Sequence, residues 1–223
     1  MPAVGVFAGL ACGVLLTAIG LAVWEGSRQT PDLARAARVV NWLAGTLLLA
    51  GALLAWWGDP ALSAPASRLL LMATCAAPVG THHHYSKPWG NAARVLPALV
   101  LTGVALFGSL GPASAESGAL MSLMLVVCGG LGARMMGEAL SLSTDAEWPF
   151  TATYALLTLL VGGVALVNLW QRGTVWSGRP GEGGLVGAWL AWSAAWSSPR
   201  RYPRLRTGLI VIAALFLIVT VAT

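Results

Sequence analysis

The residues of this chain that could do chemistry gather in one short segment, from Trp170 to Trp196. Five of the eleven tryptophans fall within these 27 residues. Tryptophan favours both membrane interfaces, which accounts for Trp170 and Trp196 as members of an interfacial belt. The alternative is a stacked aromatic platform beside a flat apolar ligand, because Trp176 lies in mid-loop and Trp189 and Trp192 are three residues apart on a predicted helix.

The spacing inside this segment follows the pattern G-x-x-W-x-W-D-P-x-E, with a further Trp-Leu pair seven residues after the Glu. The matching residues are Gly173, Trp176, Pro180, Glu182, Trp189 and Leu190. The segment therefore resembles the tryptophan-rich external loop of the cytochrome c assembly family, whose members handle haem at the outer membrane face. The apolar run before the loop and the arginine-rich loop and last apolar run after it also have that family's order, so the resemblance covers residues 150–223.

The resemblance implies a haem site and residues that would form it. Trp176, Trp189 and Glu182 would line the site, and Arg172 or Arg179 would pair with a haem propionate. Haem is the cofactor implied, and cytochrome assembly factors or other membrane subunits are the partners implied. The function that the resemblance implies is haem handling or delivery at the outer membrane face during cytochrome c maturation.

The chain also departs from the family's pattern. Gly178 and Arg179 stand where the pattern has Trp and Asp, and neither of the family's two external histidines is present, near Ser197 or in the stretch P-A-S-A-E-S-G at 112–118. Those histidines flank the haem iron in the family. We therefore predict no tightly bound bis-histidine haem at this loop, and a second function stays open: a structural subunit, without ligands, of a larger respiratory, photosynthetic or assembly complex.

The three histidines are consecutive, at His82, His83 and His84. They are weak candidates for a metal or inner-face haem contact, since imidazole is a common ligand for both. Neighbouring side chains on a helix point about 100° apart, so at most two could reach one ion. The favoured interpretation is a polar helix end at the headgroups, before Lys87 and Pro88, with no metal site.

The composition indicates that these residues work in a lipid bilayer. The chain is 57% hydrophobic and 9% charged, whereas soluble domains average roughly 25% charged residues. The net charge of +5 comes from basic residues in short segments between apolar runs, which indicates topology signals and no nucleic-acid partner. The lone cysteines Cys12, Cys75 and Cys128 are expected to be small core residues.

Apolar runs predict an all-α bundle of about eight transmembrane helices in a single polytopic membrane domain, residues 1–223. Six runs are clear and two are weaker; the clear ones are 4–24, 39–57, 95–110, 118–136, 151–170 and 207–221, and the weaker ones are 68–84 and 183–198. The first run has no basic segment before it and is read as a retained helix. Six spans with two re-entrant segments is the alternative.

The basic residues favour eight spans. One set of loops holds ten of them, Arg28, Arg35, Arg38, Lys87, Arg94, Arg134, Arg200, Arg201, Arg204 and Arg206, and the other holds three, Arg68, Arg172 and Arg179. Positively charged loops stay in the cytoplasm, so both termini are expected outside, in a bacterial cytoplasmic membrane.

Charges inside the predicted spans are few. Glu25, Arg94, Arg134 and Glu138 fall within about a turn of span ends, where we expect them to reach the headgroups. Without a buried carboxylate at mid-membrane, a proton-coupled transporter has little support. No Ser-His-Asp set, HExxH motif or Walker loop is present, which favours a binding or structural role over an enzyme. In the external loop we expect Trp176 to be buried and Glu182 to have a hydrogen-bond partner.

Overall fold

The computed structural model describes residues 2–28, 31–59, 64–77, 90–107, 119–141, 147–198 and 202–222. Within these ranges there are eight α-helices and no strands, which confirms the all-α prediction. The helices are α1 (Pro2–Arg28), α2 (Pro31–Gly58), α3 (Pro65–Ala76), α4 (Gly90–Phe107), α5 (Ala119–Leu140), α6 (Glu147–Arg172), α7 (Pro180–Ser197) and α8 (Pro203–Ala222).

Five of these helices are long and apolar enough to cross a membrane. They supply the segments Val4–Trp24, Arg35–Gly58, Ser122–Leu140, Phe150–Arg172 and Pro203–Val221. Their large side chains are widely exposed at the surface of the bundle, as in Leu166 at 68% and Trp170 at 86%. A helical surface of this kind is compatible with hydrocarbon as its solvent.

The remaining helices include α3 and α7, which overlap the two weaker runs of the sequence. Each begins with a proline, Pro65 or Pro180, after a residue in extended backbone, because proline has no N–H to lose in the first turn and its φ is already helical. The helix α3, as described, is 12 residues long. The rest of the predicted run 68–84, including His82, His83 and His84, lies outside the described residues.

Two hydrophobic cores hold the bundle together, and α5 contributes to both. The first lies mainly among α1 to α5 and buries Leu15, Leu48 and Met72. The second lies among α5 to α8 and buries Leu157 and Trp192. Helices that follow one another in the chain pack together, and α1 also packs on α4 and α5 on α8. The cysteines Cys12, Cys75 and Cys128 are free thiols.

Glycines on α5 let its neighbours approach closely. A Cβ added at Gly130 would lie 2.8 Å from the carbonyl oxygen of Met72 on α3, and one at Gly137 would lie 3.0 Å from Cα of Arg94 on α4. Small residues at such contacts are typical of helix packing in membranes.

The close approach at Gly137 corrects one sequence prediction. Arg94 and Glu138 do not extend to the surface from helix ends; they are 4% and 3% exposed and form an ion pair across α4 and α5. The hydroxyl of Ser141 donates to the backbone carbonyl of Glu138 at 2.7 Å. The prediction was wrong because each charge has a buried partner of opposite sign, 44 residues away in sequence. This contact stabilises both charges, so neither side chain has to extend to water.

Candidate functional site

The segment that joins α6 to α7, residues 173–179, is a short structured loop at one end of the bundle. It is bounded by two glycines with positive φ, Gly173 at 70° and Gly178 at 76°. L-residues with side chains rarely adopt this backbone, so both turns favour glycine. This backbone conformation explains why a glycine, Gly178, occupies the position at which the pattern has its second Trp. The backbone N–H of Gly173 donates to the carbonyl of Leu169 at 3.0 Å and closes the last turn of α6.

Glu182 is the polar centre of this region. Its side chain is buried, with 8% exposure. Its Oε1 accepts hydrogen bonds from Asn168 Nδ2 at 2.7 Å and from the Ser177 hydroxyl, and its Oε2 accepts one from the Ser177 backbone N–H at 2.9 Å. The carboxylate thereby ties α6, the loop and α7 together, and the prediction that Glu182 has a hydrogen-bond partner is confirmed.

The same contacts set the charge of Glu182. Burial alone would raise its pKa, but the hydrogen bonds from Ser177 and Asn168 and the positive charge of Arg179 outweigh it, so its pKa lies below the ordinary value of 4.5. Glu182 also lies in the first turn of α7, where the helix dipole favours negative charge. It is therefore an anion at neutral pH.

Trp176 lies over a cavity of about 210 Å³ between α6, the loop and α7. The cavity is lined by Val161, Val164, Ala165, Val175, Trp176, Glu182, Leu185 and Val186. Trp176 is 46% exposed, so the expectation of substantial burial was wrong. The indole lines the cavity and is also partly accessible from outside the bundle.

Of the other residues predicted for a haem site, none lines this cavity. Trp189 lies seven residues beyond Glu182 along α7, about 10 Å further down the axis, and its Nε1–H donates to the Thr158 hydroxyl of α6 at 3.1 Å. Arg172 and Arg179 are exposed at the loop end of the bundle. The structure thus brings Trp176 and Glu182 together and leaves Trp189 apart from them.

An aromatic stack exists, but it lies at the other end of α6 and α7. The rings of Phe150 and Trp192 are 5.1 Å apart, and Trp196 lies 5.5 Å from both Phe150 and Tyr154. Trp192 is fully buried and donates its Nε1–H to the carbonyl of Phe150 at 3.2 Å. Trp192 packs α7 against α6 and is unavailable as a platform for a flat ligand, while Trp196 at the edge of the stack is 51% exposed. The guanidinium of Arg206 covers Phe150 at 4.8 Å.

Sequence reasoning missed the partners of Glu182. Asn168, which is 7% exposed, was the available signal: it is a polar residue in the apolar run that ends α6, and a buried amide needs a partner. Ser177 gives no comparable signal, because serine is ordinary in loops. In the described part of the chain, no three His, Cys, Asp or Glu side chains are grouped so that they could hold a metal ion.

Comparison with family models, with curated proteins and with solved structures gives no match for this chain.

Proposed function

We propose that the chain is a divergent cytochrome c assembly-type membrane protein that handles haem at the outer membrane face during cytochrome c maturation. One observation carries this proposal. Trp176 and Glu182, which the sequence pattern pairs, lie together at the end of the bundle where Arg172 and Arg179 are exposed. A flat apolar surface beside fixed positive charge suits a porphyrin with propionates.

The cavity itself does not fit haem. About 210 Å³ is below the 300–1,000 Å³ typical of pockets for drug-sized ligands. Its lining holds no His, Met, Cys or Tyr, and the Glu182 carboxylate is already engaged by three donors. Haem handling therefore uses the accessible side of Trp176 and the arginines. A partner, either a cytochrome assembly factor or another membrane subunit, would supply the donor to the haem iron.

The proposed topology is eight membrane crossings with both termini outside, in a bacterial cytoplasmic membrane. Its support is the charge bias of the loops together with α3, α4 and α7, the three helices that eight crossings need beyond the five long apolar ones. The loop 173–179 is then external and Arg204 is cytoplasmic. A reporter that is active only in the cytoplasm, fused after Thr223, should be silent; strong activity there contradicts the eight-span topology.

Haem titration tests the proposed site. The protein is placed in lipid nanodiscs, and haem is added while tryptophan fluorescence and the Soret band are followed. The double variant Arg172→Gln/Arg179→Gln should bind haem several-fold more weakly, because the propionates lose their cations. Arg204→Gln removes an exposed arginine on the other side and should leave affinity unchanged. Equal loss in both variants would point to non-specific charge attraction.

A structural role is the second candidate, and one observation favours it. All three hydrogen bonds to Glu182 come from this chain, so the carboxylate already has a purpose in holding the loop. On this alternative the protein is a helical subunit of a larger respiratory, photosynthetic or assembly complex. Absence of saturable haem binding by the wild type in the titration would favour it.

A further inference from the structure

The cavity behind Trp176 extends from the loop into the bundle between α6 and α7. Val161 lines it and is 11 residues before Arg172, where α6 ends, which is about 16 Å along a helix axis. The segment Phe150–Arg172 is one of the five long apolar helical segments, and only 22% of its most apolar window is buried. The inner end of the cavity, at Val161, therefore lies beside the part of α6 that is apolar enough to face hydrocarbon.

The lining defines the chemistry of a ligand. Seven of its eight residues offer only apolar side-chain surface or an indole, and Glu182 is the single charged group. Both oxygens of Glu182 are held by Asn168 and Ser177, so the carboxylate stabilises the wall without requiring a hydrogen bond or a cation from a ligand. An occupant of this space gains free energy by burying apolar surface alone.

The surroundings of the cavity indicate where the occupant comes from. Val175 and Trp176, which line it, are 57% and 46% exposed, and on α6 the nearby Leu166 and Leu169 are 68% and 49% exposed. The two leucines belong to a long apolar helix, and such side chains face lipid in a membrane. The molecules available there are the hydrocarbon chains of the bilayer, and a space of about 210 Å³ suits a part of one chain better than a rigid polycyclic ligand.

We propose that this cavity binds one hydrocarbon chain of a bilayer lipid, with Trp176 as its cover. The chain inserts between α6 and α7 and contacts Val161, Val164 and Leu185, while the bonds from Ser177 to Glu182 hold the cover in place. This site goes beyond haem handling: it uses the cavity side of Trp176, and haem handling uses the accessible side.

Photo-crosslinking tests the proposal without haem in any sample. The full chain is placed in nanodiscs with a phosphatidylcholine that carries a diazirine at mid-chain, or with the same lipid carrying it in the headgroup, and labelled peptides are mapped by mass spectrometry. The mid-chain probe should label the lining residues of α7, Leu185 and Val186, and the headgroup probe should not.

A matched pair of variants separates insertion from general lipid contact. Ala165→Phe fills the cavity and should reduce labelling of Leu185 and Val186 several-fold. Ala155→Phe adds the same ring on the same helix at an exposed position that does not line the cavity, and should leave labelling unchanged. Ala165→Leu fills less of the cavity and should give an intermediate reduction in labelling. This variant provides the test if Ala165→Phe does not fold.

Three outcomes would overturn the proposal. The first is equal labelling of Leu185 and Val186 in the Ala165 and Ala155 variants. The second is labelling of these residues by the headgroup probe alone. The third is no labelling of the α7 lining by either probe, as expected if another protein subunit covers this surface.

Discussion

Glu138 and Glu182 are both buried carboxylates, 3% and 8% exposed, but the chain satisfies them in different ways. Glu138 pairs with the charge of Arg94 on the neighbouring helix. Glu182 is held by neutral donors from Asn168 and Ser177, and the positive charge of Arg179 also attracts it. The first arrangement joins two helices, and the second positions a loop next to a cavity.

The difference separates a structural charge from one at a candidate site. The two charges of a buried ion pair compensate each other. The pair matters for stability mainly because loss of one partner leaves the other charge buried and uncompensated. A buried carboxylate with neutral donors keeps its negative charge and depends on local geometry, so it responds to changes in the loop. We therefore expect disruption at Glu138 to affect the whole bundle and disruption at Glu182 to affect residues 173–179.

The largest effect is expected from breaking the Arg94–Glu138 pair. Glu138→Met or Arg94→Met should each lower the free energy of unfolding by about 3–5 kcal/mol, because each change removes one half of a buried ion pair. The double variant should be less destabilised than either single one. Unfolding titrations in mixed detergent micelles measure this, and additive losses in the double variant would show that the two side chains are not coupled.

A smaller effect is expected at Glu182. Glu182→Ala leaves the buried amide of Asn168 and the donors of Ser177 without an acceptor, at a cost of about 1–3 kcal/mol. Hydrogen exchange should increase in residues 173–179 and stay unchanged around Glu138 on α5. Ser177→Ala removes only the hydroxyl donor and serves as the milder comparison. A loss of protection spread evenly over all helices would contradict a local role for Glu182.

The pH dependence of stability gives the smallest and most specific effect. Because the pKa of Glu182 is lowered from 4.5 on folding, its ionised form stabilises the fold above about that pH, and this contribution disappears as the pH falls through the lower folded value. The difference in melting temperature between wild type and Glu182→Gln should be constant above pH 4.5 and should shrink below it. A difference that grows as the pH falls would have the wrong sign.

The helical fold was predictable because its signal is local. Runs of apolar residues and the prolines that begin α3 and α7 are visible in the sequence, and they define helix type and approximate bounds. The need of Glu182 for a partner was predictable in the same way, since a carboxylate near lipid without one is costly.

The identity of the partners depended on tertiary packing. Arg94 meets Glu138 only because Gly137 lets α4 approach α5, and no spacing in the sequence encodes that contact. The role of Trp192 was likewise hidden, since its stacking partner Phe150 is 42 residues away. Trp176 and Glu182 could be grouped from sequence because a short loop joins them.

A spectrum of the purified protein tests the central claim, that this chain handles haem at Trp176 without ligating its iron. The reduced-minus-oxidised spectrum is recorded in nanodiscs after haem is added, for the wild type and for a variant with His82, His83 and His84 all replaced by Ala. We expect saturable haem binding with no low-spin bis-histidine bands, unchanged by the replacement. A stoichiometric bis-histidine spectrum would contradict the account; if the triple replacement abolished it, the haem site would move to those three histidines.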